Sequence, residues 1–146
     1  MLKLPIILLA VSFAESFRMQ SVGVKGRLRC GANPIEGAKV KLWDVDTTEG
    51  PDKDDLLEAG ETDENGFFEL SGHTEELSTI DPALRIYHDC DDGIMPCQRE
   101  VQLIIPDSYV TEGEKAGRIF DIGELNLQVI FPCEDRNCLG QRRRRR

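Results

Sequence analysis

The chain is predicted to be all-β: an antiparallel β-sandwich of about seven to eight short strands, stapled by disulfides. Three observations predict it. Apolar and polar residues alternate in short runs, the pattern of half-buried strands. Turn residues break these runs every ten or so positions with no convincing long helix between them, a spacing that favours a sandwich over an α/β fold. Five cysteines, Cys30, Cys90, Cys97, Cys133 and Cys138, follow a segment that reads as a secretory signal.

That signal has a short positive start at Met1 to Lys3 and an apolar run from Leu4 to Val11. Ser12-Phe13-Ala14 then supplies small residues where a signal peptidase reads, so cleavage after Ala14 is predicted. The run is well below the roughly 20 residues that span a bilayer, and no other segment is predicted to cross a membrane. The organisation expected is therefore a signal peptide over 1–14, one domain over 19–139 and a basic disordered tail over 140–146. The mature protein is expected to be secreted and extracellular.

The strands follow in order. Val22, Val24, Gly26, Leu28 and Cys30 share one face, with Lys25, Arg27 and Arg29 on the other. After a turn at Asn33-Pro34 and Gly37, Ala38, Val40 and Leu42 point inward while Lys39 and Lys41 point out. An acidic loop from Thr47 to Asp55 leads to a short strand over Leu56 to Thr62. Asp63-Glu64-Asn65-Gly66 is the strongest hairpin signal, because Asn-Gly tolerates the positive φ angles of a type I′ turn. Phe67 to Leu70 leaves it as a strand that Gly72 is expected to end. Leu84 to Cys90, Val101 to Ile105, Ile119 to Ile122 and Leu125 to Phe131 complete the set. Ser108 to Ala116 has room for one helical turn.

Charge excludes some functions. The full chain carries 18 Lys and Arg against 27 Asp and Glu, a net of −9. Setting aside Lys3 and the five arginines Arg142 to Arg146 leaves 12 against 27 in residues 15–141, a net of −15. Such a body repels nucleic acid, so no nucleic-acid partner is expected. The arginine run can contact sulfated glycans or anionic head groups. It can equally be an unstructured tail, be trimmed, or fold back on the acidic body. No Asn-x-Ser/Thr sequon occurs, so no N-glycosylation is expected.

Several stretches in this order resemble the nematode transthyretin-like family. They include Gly26-Arg27-Leu28-Arg29-Cys30-Gly31, Gly37 to Asp46, Thr62 to Leu70, Ile80 to Cys90, and Pro96-Cys97-Gln98-Arg99. Ile105 to Val110 and Asp121-Ile122-Gly123 add to the match, which covers about residues 20 to 139. The resemblance implies a secreted transthyretin-like β-sandwich, in agreement with the strand pattern. Four cysteines stand where the family has cysteines. Where the family usually reads Phe-Pro-Gly-Glu, this chain reads Phe131-Pro132-Cys133-Glu134, which makes Cys133 the additional cysteine.

The candidate sites are few. His88-Asp89-Cys90 invites a Cys-His nucleophile, but on a strand Asp89 points away from His88 and Cys90, and Cys90 is expected in a disulfide. The hydroxyisourate hydrolases of the same fold carry a histidine-rich site, whereas this chain has only His73 and His88. No catalytic residue, cofactor or enzyme activity is expected. Asp44, Asp46, Asp52, Asp54 and Asp55 form an acidic cluster, with Asp44, Asp46, Asp54 and Asp55 the candidate ligands of a weak, irregular Ca²⁺ site. The spacing is not that of an EF-hand, since position 5 from Asp44 is Thr48 and Gly50 falls at position 7. Zinc is disfavoured because no paired histidines accompany the cysteines.

Disulfides are expected between Cys90 and Cys97, closing a short turn, and between Cys30 and Cys138, tying the first strand to the chain's end. Cys133 is left unpaired, and an accessible odd thiol in an oxidising compartment ends as a mixed disulfide or an intermolecular bridge, so a fraction of homodimer through Cys133 is expected; a thiol buried against the end of the sandwich would instead stay free. The function expected is a non-catalytic extracellular binding or bridging module for a protein or cell-surface ligand. Carriage of a small apolar ligand, or phospholipid or glycan recognition at the cell surface, is the alternative.

Overall fold

Period-two patterning folds into two packed sheets in the computed structural model, which describes residues 16–45 and 53–138 and the backbone of 141–143. Among these residues lie eleven strands: β1 (Arg18–Cys30), β2 (Asn33–Pro34), β3 (Lys39–Asp44), β4 (Asp55–Glu61), β5 (Phe67–Glu76), β6 (Pro82–His88), β7 (Gln98–Ile104), β8 (Thr111–Glu112), β9 (Ile119–Asn126), β10 (Asp135–Cys138) and β11 (Gln141–Arg143). A 3₁₀ turn spans Asp107–Tyr109, inside the stretch expected to hold a helical turn. The first sheet is built around β1, which pairs with β2, β5, β8 and β9. The second runs β11-β10-β7-β6-β3-β4.

The faces read from the sequence meet between the sheets. Val22, Val24 and Leu28 of β1, Val40 and Leu42 of β3, and Leu84 and Ile86 of β6 are all fully buried. Phe68 and Leu70 of β5, Val101, Ile105 and Leu127 close the core. Burying a side chain of this size contributes about 1.5–3 kcal/mol, so this layer carries much of the fold's stability.

Strand arrangement departs from the sequence expectation in five places. The pairing of β1 with β9 is parallel, in a sheet otherwise antiparallel. The two strands expected at 119–122 and 125–131 are one strand ending at Asn126. Gly123 takes φ +70°, and the register against β1 shifts between Lys25 and Arg27. A bulge of this kind absorbs the glycine without ending the strand.

The Asp63–Gly66 turn does not make a hairpin, because β4 belongs to the second sheet and β5 to the first. Only Gly66 has positive φ, at +82°, and Asn65 does not. Asp63 O accepts from Gly66 N at 3.0 Å, and the Asp63 carboxylate accepts from the Asn65 and Phe67 amides at 2.9 Å. Long-range bonds turn this corner: Gly66 O accepts from Leu28 N, while the Thr62 hydroxyl accepts from Ala38 N at 2.9 Å and donates to Ile35 O at 2.6 Å.

Gly72 does not end β5, which runs on to Glu76. A side chain there would collide with Leu57 of the facing sheet, so its glycine serves close approach. Finally, the tail expected to be disordered contributes β11, which pairs antiparallel with β10. The predicted cleavage point after Ala14 and tail residues 140 and 144–146 lie outside the described residues.

Candidate functional site

The disulfides do not join as expected. Cys30 pairs with Cys90 across 60 residues and Cys97 with Cys138 across 41. The physical reason is register. Asn137 of β10 stands opposite Gln98 of β7, and one step further along this antiparallel pairing Cys138 faces Cys97, with Cα atoms 4.6 Å apart. Cys90 follows β6 and Cys30 ends β1, so their bridge ties the two sheets together at one end, Cα atoms 5.7 Å apart. Cys133 is free and exposed.

Both bridges bound one end of the sandwich, where segments 89–97 and 127–135 face each other. Between them opens a groove of about 860 Å³ whose lining includes Asp91, Met95, Ile130, Cys133, Asp135 and Arg136. Its two walls are held by arginines. Arg99, on β7 and 5% exposed, donates to Cys90 O at 2.8 Å, Leu127 O at 2.7 Å and Val129 O at 2.9 Å. The same guanidinium grips Glu134 through both carboxylate oxygens, at 3.0 and 2.5 Å. Arg136, on β10, pairs both its terminal nitrogens with the Asp92 carboxylate at 2.5 Å and donates to Cys97 O at 3.1 Å. The hydrogen bond from Arg136 holds the Asp92 carboxyl below its ordinary range.

On the segments that carry these walls, apolar side chains face solvent, and Met95 and Ile130 among them line the groove. Ile94 is 103% exposed and Ile130 75%, with Met95 and Val129 both more than half exposed. Three non-glycine residues carry positive φ among the described residues, Asp91 (50°), Cys97 (71°) and Cys133 (67°), and all belong to this end. Strain of this sort persists only where surrounding bonds over-determine it.

The transthyretin-like family (TTR-52) matches residues 25–106. Transthyretin-like protein 33 of Caenorhabditis elegans is 55% identical over 86% of this chain and 87% of its own length. Transthyretin-like protein 46 of the same organism is 50% identical over 98% of this chain and 80% of its own, and transthyretin-like protein 5 is 49% identical over 90% and 94%. The chain belongs to the transthyretin-like family. Residues 127–138, one wall of the groove, lie outside the family match, and within it Cys30 and Cys90 form the inter-sheet bridge.

The remaining sequence candidates separate in space. His88 is 2% exposed and its Nδ1 accepts from the Cys90 amide at 3.0 Å. Burial pushes its imidazole down to about 4, and the Arg99 guanidinium beside it adds to the effect. Asp89 is turned outward, accepting from Gln98 Nε2 at 3.2 Å. Of the acidic cluster, Asp44 and Asp55 come together with Glu76, an acid the sequence reading did not include, with carboxylate oxygens within 4.8 Å of one another. Asp54 instead pairs with Arg85 at 2.5 Å, under the Trp43 ring. Asp46 and Asp52 lie outside the described residues.

Sequence reasoning missed Arg99, Glu134, Asp92 and Arg136. A signal for Arg99 was present: it shares its strand face with Val101 and Ile105, both buried, and a charged residue on an inward face requires partners. Glu134, 35 positions away, had no such mark.

Proposed function

We propose that this protein is a secreted, non-catalytic extracellular binding module whose recognition surface is the disulfide-bounded groove. The observation that carries this reading is the set of apolar side chains, Ile94, Met95, Val129 and Ile130, standing in solvent on anchored loops. Loops positioned by a rigid scaffold are the usual seat of binding, and exposed apolar clusters mark interaction sites. The non-catalytic part rests on His88 and Cys90. One is buried and spends its Nδ1 on a backbone amide, and the other is a disulfide, so neither is available as base or nucleophile.

The test is a double substitution, Ile94→Asp with Ile130→Asp, in labelled protein applied to intact cell surfaces and extracellular matrix. Both side chains are exposed, so the melting temperature should hold while surface binding falls. Binding unchanged by the pair places recognition elsewhere. Carriage of a small apolar ligand is the second reading, favoured by a groove volume within the roughly 300–1,000 Å³ of small-molecule sites. Native mass spectrometry of the secreted protein separates the two: a co-purifying small molecule supports carriage. Exposed Cys133 further supports a covalent dimer of two copies through this residue. Wild type should show a dimer band on a non-reducing gel that Cys133→Ser abolishes.

A further inference from the structure

The groove joins two chemistries. Met95, Ile130, Phe131 and Pro132 make part of its lining apolar. Asp91, Asp92, Glu134 and Asp135 set four carboxylates against the two guanidiniums of Arg99 and Arg136. Those two cations are the groups an anionic ligand needs, and their donors are spent on the fold itself. A guanidinium has five N–H groups. Arg99 uses Nε on Glu134, one terminal nitrogen on the Cys90 and Leu127 carbonyls, and the other on Val129 O and Glu134, so all five are engaged. Arg136 turns both terminal nitrogens onto Asp92, and one of them also onto Cys97 O. The two-pronged face that grips a phosphate, sulfate or carboxylate is thereby occupied. An entering ligand meets apolar side chains and more carboxylates than guanidiniums, with Asp91 exposed at the rim. The wider field has the same sign, since residues 15–141 carry 12 Lys and Arg against 27 Asp and Glu, and it draws cations toward the surface.

We infer that the groove's partner is a basic, aliphatic-rich segment of another protein, with Lys or Arg beside Leu, Ile or Val, and not an anionic lipid or glycan. This names the ligand class of the surface proposed above and rests on that reading. Aliphatic side chains of such a segment pack on Met95 and Ile130, and its cations meet Asp91 and the acidic wall. An anionic ligand of equal apolar content meets like charge there, with the Arg99 donors unable to offset it.

The test titrates the purified protein, labelled at its methionine methyl groups, and follows those resonances. Met95 lines the groove and reports its occupancy. Met19, at the opposite end of β1 from Cys30, is the internal reference. The probes are a capped hexapeptide alternating Leu and Lys, its counterpart alternating Leu and Glu, and a heparin disaccharide. The basic peptide should move Met95 and leave Met19 in place, while the two anionic probes should move neither. Asp91→Asn removes one charge and keeps a residue at ease with φ +50°. It should weaken the basic peptide about fivefold, the upper range for one exposed ion pair. In about 1 M sodium chloride, where the screening length is roughly 3 Å, wild type and Asp91→Asn should bind it alike. Met95 unmoved by the basic peptide, moved as strongly by either anionic probe, or titrated identically in wild type and Asp91→Asn at low salt overturns the inference. The groove's own role is read separately by the Ile94→Asp, Ile130→Asp test. Loss of surface binding there, beside an anionic probe that moves Met95 here, keeps the groove and overturns the ligand class alone.

Discussion

The middle of the sandwich and its disulfide-bounded end are held by opposite physics. In the middle, Val22, Val24, Val40, Leu42, Leu84 and Ile86 pack as a dry apolar layer, each contributing by its own area and none depending on a particular partner. At the end, two segments without regular strand structure are held by Arg99, Arg136 and two covalent bridges. An apolar layer tolerates exchange of one aliphatic side chain for another. A polar network does not, because the Cys90 and Leu127 carbonyls that Arg99 satisfies become buried orphans once it is gone. The end can therefore hold exposed apolar side chains and left-handed backbone that the middle has no means to support.

The largest expected effect is Arg99→Leu, which strands Glu134 and the buried Cys90 and Leu127 carbonyls and should cost roughly 3–5 kcal/mol in urea unfolding, as breaking a buried ion pair does. Leu84→Ala in the middle should cost a comparable amount, roughly 2–5 kcal/mol, by leaving a cavity. A near-neutral Arg99→Leu would mean that the disulfides alone hold the end together. Next, the pairs Cys30→Ser/Cys90→Ser and Cys97→Ser/Cys138→Ser should each cost about 4 kcal/mol, since loop entropy varies slowly with separations of 60 and 41 residues. Peptide mapping under non-reducing conditions checks the connectivity directly.

His88 sharpens the comparison through pH. Its folded-state value of about 4 lies below the ordinary 6.5, so the unfolded chain takes up a proton before the folded one does. This contribution is fully present above pH 6.5 and is lost as pH falls from 6.5 to about 4, by an amount on the order of 3 kcal/mol. Chemical denaturation at stepped pH should show that loss, and His88→Asn should flatten this part of the profile. The smallest effect belongs to Arg27→Ala on the outer face. Its pairing with Glu124 at 2.7 Å and its stacking over Phe67 are half in solvent, and the change should cost under about 1 kcal/mol.

What was legible in the sequence was local. Alternation assigned Val22, Val24 and Leu28, or Val40 and Leu42, to one face because a strand's period of two is a property of neighbouring residues. By itself the sequence thus determined the all-β class, most strand positions and the inward faces. It also marked Cys133 as the additional cysteine, since the resemblance matched the other four to family positions. Only the tertiary structure decided which cysteines pair, that β1 and β9 run parallel, that Gly66 turns a corner between sheets, and that Arg99 meets Glu134. Each of these depends on which strands become neighbours, a choice made by summed long-range contacts. No short stretch of chain encodes it.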